Sequence, residues 1–359
     1  MERVLRAEVA VVGGGPAATA TAITLRRAGV DVVVIAGRLP RERRYRPGEG
    51  GPPGVDRTVQ QVFGGEFHAF EPREHLRSYG NRSAWGSDEL VTTDFMFNPF
   101  GSGWHLDRDE FDARLLGAVE RAGVRVLHDA EVVTSVHDDG WRLTVRSGAG
   151  AFTVAARLVC DASGRRAVVA RAHGAVLERD DRLTGLASVQ STEEHEPFTT
   201  VAAAESGWWY RAPLPGGRQV VAFFSDPDLV DLVEMKQAME QPVLLAAGAA
   251  RLASPVGDGW LAVGDAAASF DPISSQGILT ALLMGREAGR AAAQLLGGGT
   301  ASDYAATYQR VVDRYRLEHR RCYAAEGRWP DSPFWARRRS SAGQSSRRSS
   351  DRNRLALRT

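Results

Sequence analysis

The sequence predicts an α/β protein with a parallel sheet and further strands in a mixed or antiparallel sheet. Residues 7–35 read as strand, glycine turn, helix and strand, because two short apolar runs flank a helix-compatible stretch that ends at Gly29. Residues 259–296 predict a further strand, which a glycine-containing segment joins to a long alanine-rich helix. Residues 183–225 read as further strands, which predicts the mixed or antiparallel sheet.

Composition places the 359-residue chain among globular proteins, with 43% hydrophobic and 25% charged residues. The net charge of +1 is unevenly placed, because residues 337–359 carry eight Arg and one Asp, a balance of +7. Residues 1–336 therefore carry about −6 (1 − 7), which argues against a nucleic-acid surface. The Ser/Arg-rich end predicts a disordered tail over 337–359.

Two cysteines, Cys160 and Cys322, form neither a disulfide framework nor the spacing of a metal site. They fit a reducing, cytoplasmic setting. The first residues lack the order of a signal peptide, and no apolar run approaches the ~20 residues that span a bilayer. We therefore expect a cytoplasmic protein with no metal and no membrane span.

A dinucleotide fingerprint follows the first strand. Gly13 permits a tight turn, Gly15 lets the backbone approach a pyrophosphate, and Ala18 is small enough for close helix–strand packing. Pro16 and Ala17 complete the turn into the helix, whose N-terminus would face the phosphates with its partial positive charge. The pattern predicts a phosphate cradle.

The adenosine end of this site departs from the usual pattern. An acidic residue is expected at the end of the second strand, where it binds a ribose hydroxyl. After Ile35 the sequence instead reads Ala36, Gly37 and Arg38. Either backbone groups bind the ribose or Glu42 reaches in from the loop.

Three further segments distinguish FAD from NAD. They are Arg46-Pro-Gly-Glu49-Gly, Asp161-Ala-Ser-Gly164-Arg and Gly264-Asp265-Ala-Ala-Ala-Ser-Phe-Asp271-Pro272-Ile-Ser-Ser-Gln-Gly277-Ile278. With them the chain resembles the FAD-dependent monooxygenases of the p-hydroxybenzoate hydroxylase fold. Within that fold it resembles the branch of the flavin-dependent tryptophan halogenases and related tryptophan-modifying maturation flavoproteins, from about Val9 to Trp335.

The resemblance implies a glutathione-reductase-like Rossmann FAD domain with an inserted mixed or antiparallel substrate domain. The FAD domain would comprise 1–55, 99–175 and 258–300, the substrate domain 56–98 and 176–257, and a helical cap 301–336, followed by the tail.

The resemblance also implies roles for cofactor-binding residues. Asp265 would bind the ribityl chain, Pro272 to Gly277 would lie beside the isoalloxazine ring, and Arg108 would contact the cofactor. The helix that begins at Gly277 would stabilise negative charge on the reduced ring. For Asp161 and Asp265 the alternative is turn or cap chemistry. The full expected set is Gly13, Gly15, Pro16, Ala17, Ala18, Arg46, Glu49, Arg108, Val133, Asp161, Gly164, Gly264, Asp265, Pro272, Gly277 and Ile278.

Three departures from the halogenase pattern disfavour halogenation. Lys236 is the single lysine and lies far from the stretch that holds the halogenase lysine. Ser274 occupies the position of the halogenase glutamate, and Tyr210 replaces the second Trp of the Trp-x-Trp-x-x-Pro signature. What remains is hydroxylation of an indole, tryptophan or phenol through a C4a-hydroperoxyflavin, which needs a dry pocket and correct placement.

The candidate catalytic residues are His105, Trp209, Tyr210 and Ser275, with Trp104 and Trp208 as further pocket residues. His105 either acts as a base, because imidazole titrates near neutral pH, or only hydrogen-bonds the backbone. The tryptophans either line the pocket or belong to the core.

Several alternatives stay open. The chain could be a flavin-dependent halogenase, a geranylgeranyl-reductase-like flavin reductase, or a flavin-bound protein that holds a partner through its Arg-rich tail. The substrate could be a small aromatic molecule, a carrier-bound group or a peptide. Since no second glycine fingerprint is present, NAD(P)H reduces the FAD directly at the surface or a separate flavin reductase supplies electrons.

Overall fold

The computed structural model describes residues 4–37, 50–65, 67–193, 196–230 and 239–339. The described helices are α1 (Pro16–Arg27), α2 (Val55–Phe63), α3 (Arg108–Arg121), α4 (Val168–Ala172), α5 (Gly277–Leu296) and α6 (Ser302–Ala324), with a further helical segment over 333–339. None of them combines the length and the hydropathy that crossing a bilayer requires.

The described strands are, in chain order, β1 (Val4–Arg6), β2 (Val9–Val12), β3 (Val32–Ile35), β4 (Gly50–Gly51), β5 (His75–Ser78), β6 (Gly80–Ala84), β7 (Val91–Asp94), β8 (Gly103–Leu106), β9 (Arg125–Leu127), β10 (Glu131–Asp138), β11 (Gly140–Ser147), β12 (Gly150–Ala156), β13 (Leu158–Asp161), β14 (Leu177–Arg179), β15 (Thr184–Ser191), β16 (Phe198–Ala204), β17 (Gly207–Leu214), β18 (Arg218–Ser225), β19 (Val243–Ala246), β20 (Ala250–Leu252), β21 (Val256–Gly257), β22 (Trp260–Ala262) and β23 (Ala268–Ser269).

The first layer is a sheet with the order β21-β22-β13-β2-β3-β9. All its pairs are parallel except the β21–β22 hairpin. Numbered along the chain, the parallel strands lie in the order 5-4-1-2-3, which is the doubly wound arrangement. β2, β3 and β13 are buried along their whole length, as continuous apolar runs in a parallel sheet should be. The α/β prediction is confirmed.

Helices α1 and α5 pack closely on this sheet because small residues face each other. A Cβ at Gly285 would lie 2.6 Å from the Ala17 carbonyl oxygen, and one at Gly289 would lie 2.7 Å from the Thr24 Cβ. The Thr21 hydroxyl donates to the Gly285 carbonyl at 3.1 Å. This contact joins the middle of α1 to the middle of α5.

The second layer is a mixed sheet with the order β19-β15-β18-β17-β16-β6-β7. Only the β16–β6 pair is parallel. One face buries Trp208 and Phe224 against Tyr323 of α6 and against Phe334 and Trp335 of the helical segment 333–339. The inserted mixed sheet is therefore present. The assignment of the two layers to an FAD domain and a substrate domain stays a prediction.

The expectation that order ends at residue 336 is wrong. Arg337 bridges Asp226 and Asp228 at 3.0 and 2.6 Å. Arg338 is buried, pairs with Asp226 at 2.8 Å and places its guanidinium carbon 3.6 Å from the Phe334 ring centroid. The first arginines of the basic run are therefore part of the fold, and residues 340–359 lie outside the described residues.

Candidate active site

The strand order reverses between β2 and β13, and Gly13 lies at the carboxyl end of β2 at this switch point. Its φ is +132°, and a Cβ there would lie 2.2 Å from the Ala162 carbonyl oxygen. The Ala162 amide donates to the Val12 carbonyl at 2.8 Å. Only glycine fits this turn, and ligands of doubly wound sheets bind at such a switch point.

The N-terminus of α1 opens toward the same switch point. Its N-cap residue, Gly15, offers no side chain, Pro16 follows it, and the first turn holds no acidic residue. Ala17 and Ala18 are buried. The first amide groups and the positive end of the helix are thus left for an anion. This arrangement fits a pyrophosphate.

Gly264 joins this cradle to the long-helix segment. It has a φ of +61°, and a Cβ would lie 2.6 Å from the Ala17 Cβ. The next residue, Asp265, keeps half of its side chain exposed and lies 3.9 Å from the Arg165 Nε. Arg165 is itself fixed by the carbonyls of Gly248 and Phe270 at 2.6 and 3.0 Å. An oriented, accessible carboxylate of this kind suits ribityl hydroxyls.

The buried carboxylate of Asp161 stabilises the turn that follows β13. It accepts from the Ser163 amide and hydroxyl at 3.1 and 2.6 Å, and from the amides of Val169 and Ala170 at 2.8 Å each. These four hydrogen bonds occupy both oxygens of the carboxylate, and two of them cap the N-terminus of α4. Asp161 thus shapes the turn through cap chemistry, and Gly164, with a φ of +70°, completes it.

Val133, which the resemblance assigns to the cofactor site, is the extra residue of a β-bulge. The β10–β11 register shifts between Val132 and Thr134, and the Val133 side chain is exposed. A bulged residue leaves its backbone groups outside the ladder, so they are available to an adenine. The Ala36 amide, by contrast, already donates to the Leu127 carbonyl at 2.9 Å. The backbone at Ala36 is thus a poor ribose donor, and Glu42 lies outside the described residues.

Arg108 begins α3 directly after its N-cap Asp107. Its guanidinium lies 3.2 Å from Asp112, and 12% of its side chain is exposed. Arg46 and Glu49 lie outside the described residues, so their proposed contacts stay predictions.

The segment Pro272–Gly277, which we call the flavin-side loop, forms a short 3-10 turn and then the start of α5. Ser275 has a φ of +49° and is exposed together with Gly277, whereas Ile278 is buried. No side chain caps the N-terminus of α5. The loop therefore presents an open edge and a positive helix end to a ligand.

Asp271 fixes this loop to one face of α6. Its buried carboxylate accepts from the Ile273 amide at 2.9 Å, the Tyr323 hydroxyl at 2.8 Å and His319 Nε2 at 3.1 Å. Its amide donates to the Tyr315 hydroxyl at 3.0 Å. Sequence reasoning missed Tyr315, His319 and Tyr323, although their spacing of four residues along a helix was a usable signal.

The electrostatics of this cluster keep its phenol protonated. Burial, followed by the Asp271 carboxylate, raises the pKa of Tyr323 well above its usual range. Burial and then Asp271 also raise the pKa of Asp181. Asp181, Asp271 and His319 bring their ligand atoms within 4.8 Å of one another, but the hydrogen bonds to Asp271 account for its buried charge without a cation.

His105 lies on β8, opposite Gly50 of β4 and Leu76 of β5. It is fully buried, and neither ring nitrogen has a hydrogen-bond partner of ordinary geometry among the described residues. Burial lowers the pKa of His105 to about 4, and the Pro197 backbone offsets only part of that shift. The ring is therefore neutral near pH 7 and a weaker base than an exposed imidazole.

The three aromatic residues of β17 divide between its two faces, as the period of a strand requires. Trp208 is fully buried, donates to the Tyr323 hydroxyl at 3.0 Å and stacks on Phe224. Tyr210 shares that face and cluster, which also includes Ile273 of the flavin-side loop. Trp209 lies on the opposite face against Phe223. Trp208 is thus a core residue, and Trp209 and Tyr210 do not line one surface.

Residues 83–353 match the model of the family described as tryptophan halogenase. The chain belongs to this family. A curated relative is the FAD-dependent oxidoreductase LodB of Marinomonas mediterranea, 30% identical over 292 residues, which cover 73% of this chain and 78% of LodB. The menaquinone reductase of Mycolicibacterium smegmatis is 27% identical over 86% of this chain and 81% of its own.

Two solved structures place this halogenase-family chain among known folds. The peptidyl tryptophan dihydroxylase QhpG has a TM-score of 0.76 and 25% identity, over 93% of this chain and 78% of QhpG. The flavin-dependent halogenase CmlS has a TM-score of 0.79 and 23% identity, over 97% of this chain and 71% of CmlS, which is a likeness of fold. The chain is an FAD-dependent oxidoreductase, as its sequence predicted.

The described residues fit the cofactor of the family. Gly13 and the uncapped α1 leave a phosphate cradle, Asp265 offers an accessible carboxylate, and the flavin-side loop presents an open edge beside a helix N-terminus. Gly13 follows the carboxyl end of β2 and Asp265 follows that of β22, and ligands of doubly wound sheets bind at these ends of the strands.

Proposed function

We propose that this chain is a flavin-dependent monooxygenase that hydroxylates an indole, most directly a tryptophan side chain, with phenols as the second class. The observation that supports the proposal is a halogenase-family frame without halogenase residues. Ser274 stands at the glutamate position and Lys236, the single lysine, lies outside the described residues. The substrate class is supported by QhpG, which is named as a dihydroxylase of peptidyl tryptophan.

FAD, when bound and reduced by an external electron donor, would supply the activation of O₂. The residues of the chain hold and shield it: the α1 N-terminus would bind the pyrophosphate, Asp265 the ribityl chain, and the flavin-side loop the ring. The N-terminus of α5 would stabilise negative charge on the reduced ring. Tyr323 and His319 act as positioning residues, since they hold the loop through Asp271.

His105 is proposed to orient the substrate. Neither ring nitrogen of His105 has a partner of ordinary geometry among the described residues, which calls for an explanation. A ring nitrogen could accept the N–H of an indole or the O–H of a phenol. Because burial lowers the pKa of His105 to about 4, we assign it hydrogen bonding in the neutral state. Tyr210 and Ser275 are proposed to line the same site, Ser275 from the exposed turn before α5.

The source of electrons follows from a separate test. NAD(P)H would act at the surface of the protein, or a separate flavin reductase would deliver electrons. Anaerobic bleaching of the bound flavin by NADH or NADPH alone identifies the first route, and bleaching that requires an added reductase identifies the second. Both cysteines are free, which supports our proposal of a reducing, cytoplasmic compartment.

The deciding experiment supplies photoreduced, FAD-loaded protein with isotopically heavy O₂ and N-acetyltryptophanamide, its tyrosine analogue, or a tryptophan-containing peptide. We expect a mass gain of one heavy oxygen atom on the indole, because one photoreduction supplies the two electrons of one turnover and the second oxygen atom leaves as water. The FAD-binding variant Gly13→Ala should give no product. A halogen adduct in bromide buffer, or the absence of label on every indole and phenol, would contradict the proposal.

A second candidate is reduction of an isolated double bond. The observation that favours it is the 27% identity to menaquinone reductase over 86% of this chain. Such a reaction needs no O₂, so anaerobic hydrogenation of a polyprenyl quinone by the photoreduced protein would support this candidate in place of hydroxylation.

A further inference from the structure

An exposed apolar surface borders the proposed site. Six of the large apolar side chains that the described residues expose fall within residues 79–100, and we call them the apolar rim. Phe97 is 91% exposed and Met96 75%. The members of the rim are Tyr79, Leu90, Val91, Met96, Phe97 and Phe100. Clusters of this kind on a protein surface mark interaction sites.

The rim is held in place by hydrogen bonds. The Met96 amide donates to the Asp94 carboxylate at 2.7 Å, and the Phe100 amide donates to the Asn98 side chain at 2.9 Å. The Phe95 amide donates to the Tyr79 carbonyl at 2.7 Å. The loop therefore presents Met96 and Phe97 outward in one fixed arrangement, which lowers the entropic cost of binding.

The strand that leads into the rim has an open edge. β7 is the last strand of its sheet, all four of its residues are exposed, and among the described residues no strand pairs with its outer side. Its sequence, Val91-Thr-Thr-Asp94, has strong β-propensity and lacks the Lys or Pro that usually protects an edge. An extended peptide can add to such an edge through main-chain hydrogen bonds.

The rim is continuous with the wall of the proposed active site. The Phe100 ring lies against Gly54, where a Cβ would be 3.2 Å away, and Gly103 packs on the Gly51 carbonyl. Gly103 begins β8, which carries His105. A chain bound on β7 and the rim would therefore lie next to the segment that leads into β8.

The charges near the rim help to distinguish between a membrane and a polypeptide as the partner that it binds. Residues 79–100 contain Arg82 and three acidic residues, Asp88, Glu89 and Asp94, a balance of −2 (1 − 3), and all three acids are exposed. Asp88 pairs with Arg328, and the Arg57 guanidinium lies over the Phe100 ring, so the charges around the rim nearly balance. With one basic residue among 79–100, the rim lacks the basic cluster that binds an anionic membrane and suits an apolar polypeptide segment.

We propose that β7 and the apolar rim bind an extended polypeptide of a separate protein and place its aromatic side chain at the site. The inference rests on the proposed function and specifies its substrate as a protein segment. Main-chain pairing with β7 would supply register, and Phe97 and Met96 would supply apolar contact.

The test selects from a displayed library of random peptides of about twelve residues with a fixed central tryptophan, a length that spans β7 and the rim. FAD-loaded wild type is the bait, and Phe97→Ser and Leu244→Ser are the comparisons. Leu244 is the matched control, because it is an exposed apolar residue on β19, the opposite edge of the same sheet.

We expect wild type and Leu244→Ser to retain the same peptides, and Phe97→Ser to bind them about tenfold or more weakly with unchanged FAD content. With N-acetyltryptophanamide, Phe97→Ser should turn over like wild type. Equal retention by Phe97→Ser, or no peptide retained by wild type, would overturn the proposal. So would Phe97-dependent binding to phosphatidylcholine–phosphatidylglycerol vesicles or Phe97-dependent self-association. Peptide binding is measured without turnover, so a failure of hydroxylation is distinguishable from a failure of this surface.

Discussion

Two buried aspartates support the two ends of the proposed FAD site, and they do so in different ways. Asp161, at the pyrophosphate end, accepts hydrogen bonds from residues two, eight and nine positions later. Asp271, at the ring end, accepts from Ile273 beside it but also from His319 and Tyr323, 48 and 52 positions later. The first network is local, and the second depends on the docking of α6.

The difference bears on function. The pyrophosphate end is formed by the backbone of consecutive elements, so its geometry is fixed once the parallel sheet forms. The flavin-side loop takes its geometry from Tyr323, which also accepts from Trp208 in the second sheet. Changes in that sheet should therefore alter the ring end of the proposed site through two hydrogen bonds, whereas changes near Asp161 should alter stability and FAD affinity without changing the surroundings of the ring.

The largest effect is expected at Gly13. In Gly13→Ala the new Cβ would lie 2.2 Å from the Ala162 carbonyl, so the turn must move and FAD affinity should fall roughly a hundredfold, a loss of about 3 kcal/mol. Gly29→Ala is the control, because Gly29 also has a positive φ, +81°, but nothing lies within 4 Å of its Cβ position. Titration of FAD into both apoproteins measures the difference. Tight FAD binding by Gly13→Ala would contradict the cradle.

Replacing the two aspartates separates the two networks. Asp161→Asn and Asp271→Asn should each lower the free energy of unfolding by about 2–3 kcal/mol, because buried donors lose a charged acceptor. Only Asp271→Asn should shift the reduction potential and the visible spectrum of the bound flavin. Urea unfolding and spectroelectrochemical titration give both quantities. A flavin shift in Asp161→Asn of the same size would remove the distinction.

His105 belongs to neither network and supplies a pH dependence. Its pKa in the folded state is about 4, below the ordinary value of 6.5, so the unfolded chain binds the extra proton. The stability that the neutral ring contributes is complete above about pH 6.5 and is lost as pH falls toward 4. When the pH falls from 7 to 4.5, the unfolding free energy of wild type should decrease by about 2 kcal/mol more than that of His105→Gln. Identical pH profiles would show that burial does not hold the ring neutral.

The smallest predicted effect concerns a single hydroxyl group, that of Tyr323. Tyr323→Phe removes the group that joins Trp208 to Asp271, and Tyr304→Phe removes a buried hydroxyl that donates to the Ala262 carbonyl at 2.6 Å. Each should cost about 1–2 kcal/mol of unfolding free energy. Only Tyr323→Phe should change the flavin spectrum. If both variants change the flavin spectrum, or if neither does, the claim that Tyr323 couples Trp208 to the flavin-side loop is wrong.

The sequence was sufficient for the parallel sheet and for the glycine turn before α1, because both depend on residues close together in the chain. Gly13, Gly15 and Ala18 lie within one turn, and apolar runs identify β2 and β3 without tertiary information. Helix capping by Asp161 also involves residues close to it in the chain, so the sequence alone could suggest it. The hydrogen bonds from the Val169 and Ala170 amides show this capping.

The remaining features depend on contacts that no local pattern reports. The arginines that begin the basic run looked like a solvated tail, yet Arg338 meets Asp226, 112 positions earlier in the chain. The α6 face that holds Asp271 is defined only once α6 packs beside the loop. The separation of Trp209 from Tyr210 follows from strand alternation, which could have been applied to β17 in advance.

The most direct test of the account is a crystal structure of the FAD-loaded protein. We predict pyrophosphate density at the N-terminus of α1, beside Gly13 and Gly15, and the isoalloxazine ring against Pro272–Gly277, with Tyr323 still bonded to Asp271. A flavin ring located away from residues 271–278 would contradict the claim that these two differently built ends hold one cofactor.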